Sequence, residues 1–424
     1  MGKYTQNYID ILKEELVLAL GCTEPIALAY GAAKVKSLLK ADPKTIHIKA
    51  SANLIKNIQS VVIPNTKGLV GIKPAIVAGL MASDITEPLK ILSKLNRSDQ
   101  KRVKSLIETY NITISKLNSE HSLHFEISAK TDNHEASVEI KHIHTNIVKI
   151  TVDGKEITVK DADLSMINAY EVPRDNLNIE DIYHFAKTVD LRAVKSLISD
   201  QIKYNMAIAK EGLAKDLPMN IGRTFSNPNA TLDDKIKAYT SAASEARMCG
   251  SAKPVMTNSG SGNQGLSTSI PIIVFANEHK TTDESLYRAL ILSNLLTIHQ
   301  KTHIGRLSAF CGAISACASS AAGFVYLKDG SLEQIKMALI NTLADAAGVI
   351  CDGAKASCAA KITTGLSAAY LGYKLAMQNK TYPPFTGLNQ ADADETILHI
   401  AKLANQGMKT VDEMIVHTLV QRNS

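Results

Sequence analysis

Six cysteines, at positions 22, 249, 311, 317, 351 and 358, are the residues of this 424-residue chain best suited to chemistry, and their surroundings differ. Cys22 lies in Gly21-Cys22-Thr23-Glu24-Pro25, where Thr23 reads as a helix N-cap and Pro25 suits a first turn. A thiol at such a helix start meets unpaired backbone N–H groups and the positive end of the macrodipole, which favour the thiolate. Cys351 opens the segment CDGAKASC just after a helical pattern ending near Gly348, at a break where a thiolate can face a cavity. Lys355, one turn further, is placed to lower a thiol pKa, anchor a substrate or move a proton. Cys358 reads either as a further ligand or as a buried neighbour. Cys311 precedes Gly312, and Cys317 sits six residues deeper in the same Ala-rich segment, a common setting for a buried structural cysteine. Cys249 also reads as structural.

No Cys or His pair has finger or ribbon spacing, which argues against zinc. His142 and His144 alternate on a β-rich stretch and read as a solvated face, which leaves His303, shortly before Cys311, as the histidine to connect with the cysteines. The segment Thr257–Gly265 (TNSGSGNQG) packs three glycines with Ser259, Ser261, Asn263 and Gln264. Its backbone N–H groups can converge on a carboxylate or phosphate while the side chains direct hydrogen bonds. It lacks the Gly-Lys-Ser/Thr ending of a Walker loop.

The elements that must position these groups follow from periodicity. The first forty residues read as two helices broken at Gly21, and Thr45–Ile63 alternates like β-structure, with Asn53, Lys56 and Asn57 near its polar end. A helix starts near Pro74, and helical patterns continue to about Asn111. Between residues 112 and 160 the period changes to two, and Asp153-Gly154 between β-rich runs signals a hairpin. After Asn178 the pattern is helical, near 179–213, 231–249, 282–300, 303–327, 332–348, 363–378 and from 392. The expectation is an α+β fold: an N-terminal α+β domain over 1–164 with an antiparallel β unit at about 112–160, and a mainly helical C-terminal domain over 165–424.

Composition narrows the class. Hydrophobic residues make up 45% and charged residues 21%, near a globular average, and Trp is absent, so the interior must be mostly aliphatic. The net charge of +6 is 47 minus 41 and is spread among acids, with no basic run and no nucleic-acid module. Asp10, Glu14 and Glu15 interrupt the N-terminus, which has no secretory pattern, so a cytoplasmic address is expected. Six cysteines in such a chain point to metal binding, catalysis or burial and away from disulfides. Leu307–Leu327 is uncharged and long enough to span a bilayer, but Ala, Ser, Gly and Cys dominate it, which predicts a buried, close-packed helix.

Taken together and in order, Gly21–Pro25 (GCTEP), Thr257–Gly265, Leu307–Gly312 (LSAFCG) and Cys351–Cys358 resemble the L-cysteine desulfidases, relatives of the iron–sulfur L-serine dehydratase α-chain. The likeness covers nearly the whole chain and implies a serine-dehydratase-alpha-like helical domain. It also implies a [4Fe-4S] cluster on three cysteines, one near the N-terminus and two that lie 40 positions apart. Carried over, these are Cys22, Cys311 and Cys351, since 351 minus 311 is 40, and Cys249, Cys317 and Cys358 are spare. Three thiolates leave one iron open as a Lewis acid. The implied reaction is non-redox β-elimination from L-cysteine, through aminoacrylate, to pyruvate, ammonia and hydrogen sulfide. The base is sought at Lys355, then His303 and Ser261. Substrate contacts are expected from Ser259, Ser261, Asn263 and Gln264, with Asn53, Lys56 and Asn57 from another family-like segment. The loop Asn65-Thr66-Lys67 is less glycine-rich than the family's, which bears on the substrate more than the fold. L-Serine deamination on the same cluster is one alternative, and an iron–sulfur sensor or carrier another. A pyridoxal-phosphate lyase would need a Schiff-base lysine and a phosphate cup, neither of which stands out. The expected partner is a small amino acid, with no nucleic acid or membrane; a homodimer is compatible with the pattern.

Overall fold

The structure, a computed structural model, describes residues 4–82, 84–119, 121–159 and 172–421. The N-terminal half runs α1 (Thr5–Glu15), β1 (Leu18–Leu20), α2 (Thr23–Leu39), β2 (Thr45–Ala50), α3 (Ala52–Ile58), α4 (Ile72–Met81) and α5 (Arg97–Thr109). Five strands follow: β3 (Asn111–Lys116), β4 (His124–Lys130), β5 (Glu135–Lys141), β6 (Ile147–Val152) and β7 (Lys155–Ile157). They form a six-stranded sheet in the order β3-β2-β4-β5-β6-β7, antiparallel except for the β2/β3 pair. Alternation puts Phe125, Ile127 and Ala129 of β4 and Ala136, Val138 and Ile140 of β5 on one buried face, which packs with α2 and α4 in a shared core. The hairpin at Asp153-Gly154 has both residues at positive φ, 49° and 76°, as a two-residue turn between twisted strands requires.

Two expectations change here. Only Thr45–Ala50 of the β-rich stretch is a strand; Ala52–Ile58 is a helix whose Leu54 and Ile58, four apart, are fully buried on one face. The β unit at 112–160 is also completed by this earlier strand, which lies between β3 and β4.

The second half comprises α6 (Ile179–Thr188), α7 (Lys195–Ala214), α8 (Ile221–Thr224), α9 (Leu232–Met248), β8 (Pro254–Met256), α10 (Gly262–His279) and α11 (Asp283–Ile304). After these come α12 (Gly312–Leu327), α13 (Leu332–Ala346), α14 (Cys358–Ala376), α15 (Ala393–Lys402) and α16 (Lys409–Gln421). Helix α10 was hidden by Pro271 and by an apolar surface with no clear stripe. Proline cannot donate to the carbonyl of Ser267, four residues back, and that oxygen instead accepts the Ser320 hydroxyl at 2.6 Å. The stretch expected as one helix over 303–327 is broken: the chain leaves α11 at Gly305, at φ 86°, and re-enters helix at Gly312. Among the described residues no helix is long and apolar enough to cross a membrane.

Although first in sequence, α1 packs in the helical core, where Tyr8 meets Phe185 edge-on at 5.2 Å between ring centroids. From Leu20 onward the chain joins the sheet core. Gly21 and Cys22 therefore lie where the backbone crosses from one core to the other.

Candidate functional site

Two short antiparallel pairings assemble the four sequence motifs. Strand β1 pairs with β8, Leu18 opposite Met256, and the Thr257 N–H continues the ladder to the Val17 carbonyl at 2.9 Å. This sets Gly21-Cys22-Thr23 beside Thr257–Gly265, and the Thr23 hydroxyl donates to the Gly260 carbonyl at 2.9 Å. The second pairing is a bridge between Phe310 and Ile350. Cys311 N–H donates to Val349 O at 3.1 Å and Cys351 N–H to Ala309 O at 2.6 Å. Two cysteines 40 positions apart thus flank one backbone clamp diagonally, Cys311 opposite Val349 and Cys351 opposite Ala309.

Cys22, Cys311, Cys351 and Cys358 line one cavity of about 100 Å3, together with Glu24, Asn57, His144, Arg247, Lys301 and the 259–264 segment. Cys22 and Cys311 are the N-caps of α2 and α12; α2 starts one residue earlier than the sequence suggested, with Thr23 its first residue and not its cap. The expected thiolate is not favoured, however. Burial, then the carboxylate of Glu24, raises the Cys22 thiol well above its ordinary value, and Sγ donates to Glu24 Oε2 at 2.9 Å. Burial, with Cys351 and Cys358 adding to it, pushes Cys311 up to about 12. Desolvation outweighs the helix ends at both sites. No three His, Cys, Asp or Glu side chains among the described residues converge closely enough for a single metal ion.

The polar wall is buried and charged. Burial opposes ionisation of Glu24, but His144, the Cys22 hydrogen bond and Arg247 prevail and its pKa is lowered. Its other oxygen accepts Asn57 Nδ2 at 3.1 Å. His144 is 4% exposed, and burial lowers it to about 4 against the pull of Glu24. Lys301, 1% exposed on the last turn of α11, is lowered to about 8 by burial, against the upward pull of Cys351 and Cys311. Arg306 is held by Glu15 at 2.8 Å, which also binds Arg174 at 2.6 Å.

A buried amide network anchors the Thr257–Gly265 segment. Asn294 Oδ1 accepts from Gln201 Nε2 and Asn258 Nδ2, both at 3.0 Å, and Asn294 Nδ2 donates to Gln201 Oε1 at 2.8 Å. Asn205 reaches Met256, Gly265 and Ser269. Gly265 must be glycine, since a Cβ there would lie 2.0 Å from the Met256 carbonyl oxygen. The segment expected to line a pocket is a strand-to-helix turn, with Ser261 as the N-cap of α10, and Ser259, Ser261, Asn263 and Gln264 do line the cavity.

Of the expected site residues, Cys22, Cys311, Cys351, Ser259, Ser261, Asn263, Gln264 and Asn57 line the cavity, and so does the spare Cys358. Lys355, Asn53 and Lys56 are not among its lining residues. Lys355 Nζ pairs with Asp352 at 2.5 Å, and Lys56 Nζ is buried between Asp412 and the Cys351 carbonyl. His303 also lies outside it, stacked edge-on with His299 at 5.2 Å. Cys317 is fully buried in the helical core, and Cys249, the C-cap of α9, is not among the residues lining the cavity. Sequence reading missed Lys301, Arg247, Glu24 and His144. Lys301 is two residues from the histidine that was chosen, and period-two alternation put His144 on a solvated strand when it lies in the loop after β5.

The profile of the serine dehydratase alpha chain matches residues 86–417. The chain is 41% identical over 418 residues to a UPF0597 protein of Finegoldia magna, covering 98% of this chain and all of that one. UPF0597 proteins of Treponema denticola and Fusobacterium nucleatum are each 40% identical, over 98% and 97% of this chain and 98% of theirs.

Proposed function

Because this chain belongs to the serine dehydratase alpha chain family, we propose that it is a non-redox lyase that removes sulfide from L-cysteine by β-elimination. The observation that carries this reading is the single cavity in which Cys22, Cys311 and Cys351 meet a hydroxyl- and amide-rich turn and a buried lysine. Thiols are the donors a [4Fe-4S] cluster takes, and Cys22, Cys311 and Cys351 line this one cavity. Held by Cys22, Cys311 and Cys351, the cluster would supply Lewis acidity toward the leaving sulfur. The protons that burial keeps on Cys22 and Cys311 must leave when the site is loaded.

The remaining steps belong to the chain's own side chains. Ser259, Ser261, Asn263 and Gln264 bind and orient the amino acid. Lys301 takes the Cα proton, since its burial keeps a share of the amine neutral near pH 7–8 and it borders the cavity. The Cα–H electron pair becomes the Cα=Cβ bond, the Cβ–S bond breaks, and sulfur leaves with its pair as sulfide. Aminoacrylate then tautomerises and hydrolyses, so that L-cysteine and water give pyruvate, ammonia and hydrogen sulfide. Lys355 is tied to Asp352, and we give it and His303 no role as base. Lys56 acts from behind the cavity wall through the Cys351 carbonyl, and we give Asn53 no role.

L-Serine dehydration is the second reading, favoured by the description of the family itself. The test is anaerobic reconstitution with iron and sulfide, removal of the excess, and assay of pyruvate, ammonia and sulfide from each amino acid. Equimolar pyruvate and sulfide from L-cysteine supports the proposal. Pyruvate from L-serine alone moves the assignment to the second reading, and no product from either refutes a lyase.

A further inference from the structure

Arg247 is 2% exposed on the last turn of α9 and forms no ion pair among the described residues. Its Nη1 donates to Asn263 Oδ1 at 3.2 Å, and its Nε is buried without a partner. The guanidinium lies flat against the start of α10: a Cβ on Gly262 would be 2.3 Å from Nε and 2.6 Å from Cζ. A guanidinium taken out of water costs several kcal/mol unless an anion meets it. The fold has nevertheless made room for this one on a cavity wall. Glu24 acts on it through space, but no carboxylate among the described residues hydrogen-bonds the guanidinium, so an anionic acceptor for its unpartnered donor is expected inside the cavity.

Opposite chemistry stands on the same wall. The Asn57 amide is oriented by its Nδ2–Glu24 hydrogen bond, so its carbonyl oxygen is the end left over, and that Oδ1 is buried and unpartnered. The Glu24 carboxylate that accepts that hydrogen bond lines the same cavity. One cavity thus offers a spare cationic donor and a spare acceptor beside a carboxylate, the complement of a zwitterion.

We propose that Arg247 is the carboxylate anchor of the substrate and that Asn57 Oδ1, with Glu24, receives its ammonium group, so that the site selects free α-amino acids. The inference rests on the cavity's being the amino-acid site, but does not require that the amino acid be L-cysteine or that elimination follow.

The test uses the anaerobically prepared full chain and three unreactive probes in calorimetry: L-alanine, which carries both ends, ethylamine, which lacks the carboxylate, and propionate, which lacks the amine. On the unaltered protein L-alanine binds at least about tenfold more tightly than either fragment. Arg247→Gln weakens L-alanine by at least about tenfold, Arg247→Lys recovers part of that loss, and ethylamine is unaffected by either change. Iron content and the thermal midpoint are measured beside each titration. Equal binding of L-alanine and ethylamine to the unaltered protein overturns the proposal without any variant. So does an Arg247→Gln protein of unchanged iron content and midpoint that binds L-alanine normally. If L-alanine binding follows Arg247 while no sulfide is released from L-cysteine, the anchor stands and the desulfidase reading fails.

Discussion

Asn294→Ala probes the amide network on which the cavity wall is hung. Asn294 and Gln201 are both fully buried, and the Gln201 amide has its carbonyl and its NH2 satisfied by Asn294. Truncation strands both ends. At about 1–3 kcal/mol for each buried group left unpaired, the expected loss is about 2–6 kcal/mol. Asn258 also loses one bond but keeps the Asn294 backbone carbonyl at 3.2 Å, so it adds little. The assay is urea unfolding followed by far-ultraviolet circular dichroism, with stability read from midpoint and slope. The decisive comparison is the double variant Gln201→Leu/Asn294→Leu. It removes both partners and fills the space with apolar groups, so it should cost less than the single truncation. A loss below about 1 kcal/mol for Asn294→Ala, or a double variant less stable than the single one, would refute the claim that this network carries unrelieved polar groups.

Three more outcomes follow from the same geometry. Lys301→Met lowers kcat on L-cysteine by about 10^2- to 10^4-fold with iron content unchanged, whereas Lys355→Met lowers it far less; steady-state kinetics on both decides between the two lysines. In the sheet, the His124 hydrogen bond, aided by Lys141, outweighs burial and holds the Glu139 carboxyl at about 2 against an ordinary 4.5. A carboxyl depressed in the folded state stabilises it above the unfolded value and loses that contribution as pH falls. The stability difference between the unaltered protein and Glu139→Gln should therefore be full above about pH 4.5 and vanish toward pH 2, as denaturant titrations across that range will read. Cys317→Ser places a hydroxyl in the helical core and costs about 1–3 kcal/mol in thermal or urea unfolding, with iron content unaffected.

The fold was largely open to reading because its signals are local. Period-two runs marked β4 and β5, Asp153-Gly154 marked a turn with two positive φ angles, and apolar periodicity marked most helices. Errors arose where tertiary structure overrides local pattern. Ala52–Ile58 alternates on paper yet coils, because Leu54 and Ile58 bury a common face. Helix α10 carries Pro271, whose missing bond is compensated by a serine 49 residues away at Ser320.

Within the site, the motifs were visible but their neighbours were not. Cys311 and Cys351 are brought together by a two-bond bridge with no sequence signature beyond the motifs it joins. Lys301 and Arg247 sit in ordinary helical sequence, and only burial beside the cavity distinguishes them from solvated cations. Cys22 shows the opposite case: its helix-start position was legible, but its protonation depends on burial and on Glu24, two residues on.

The central claim is that thiols drawn from distant parts of the chain share one inorganic centre. Iron and acid-labile sulfide per chain, measured after anaerobic reconstitution of the unaltered protein and of Cys22→Ser, Cys311→Ser, Cys351→Ser and Cys358→Ser, test it most directly. The account expects about four irons per chain in the unaltered protein and in Cys358→Ser, and a large loss in each of the other three. Full iron in Cys22→Ser, or loss in Cys358→Ser alone, would contradict it.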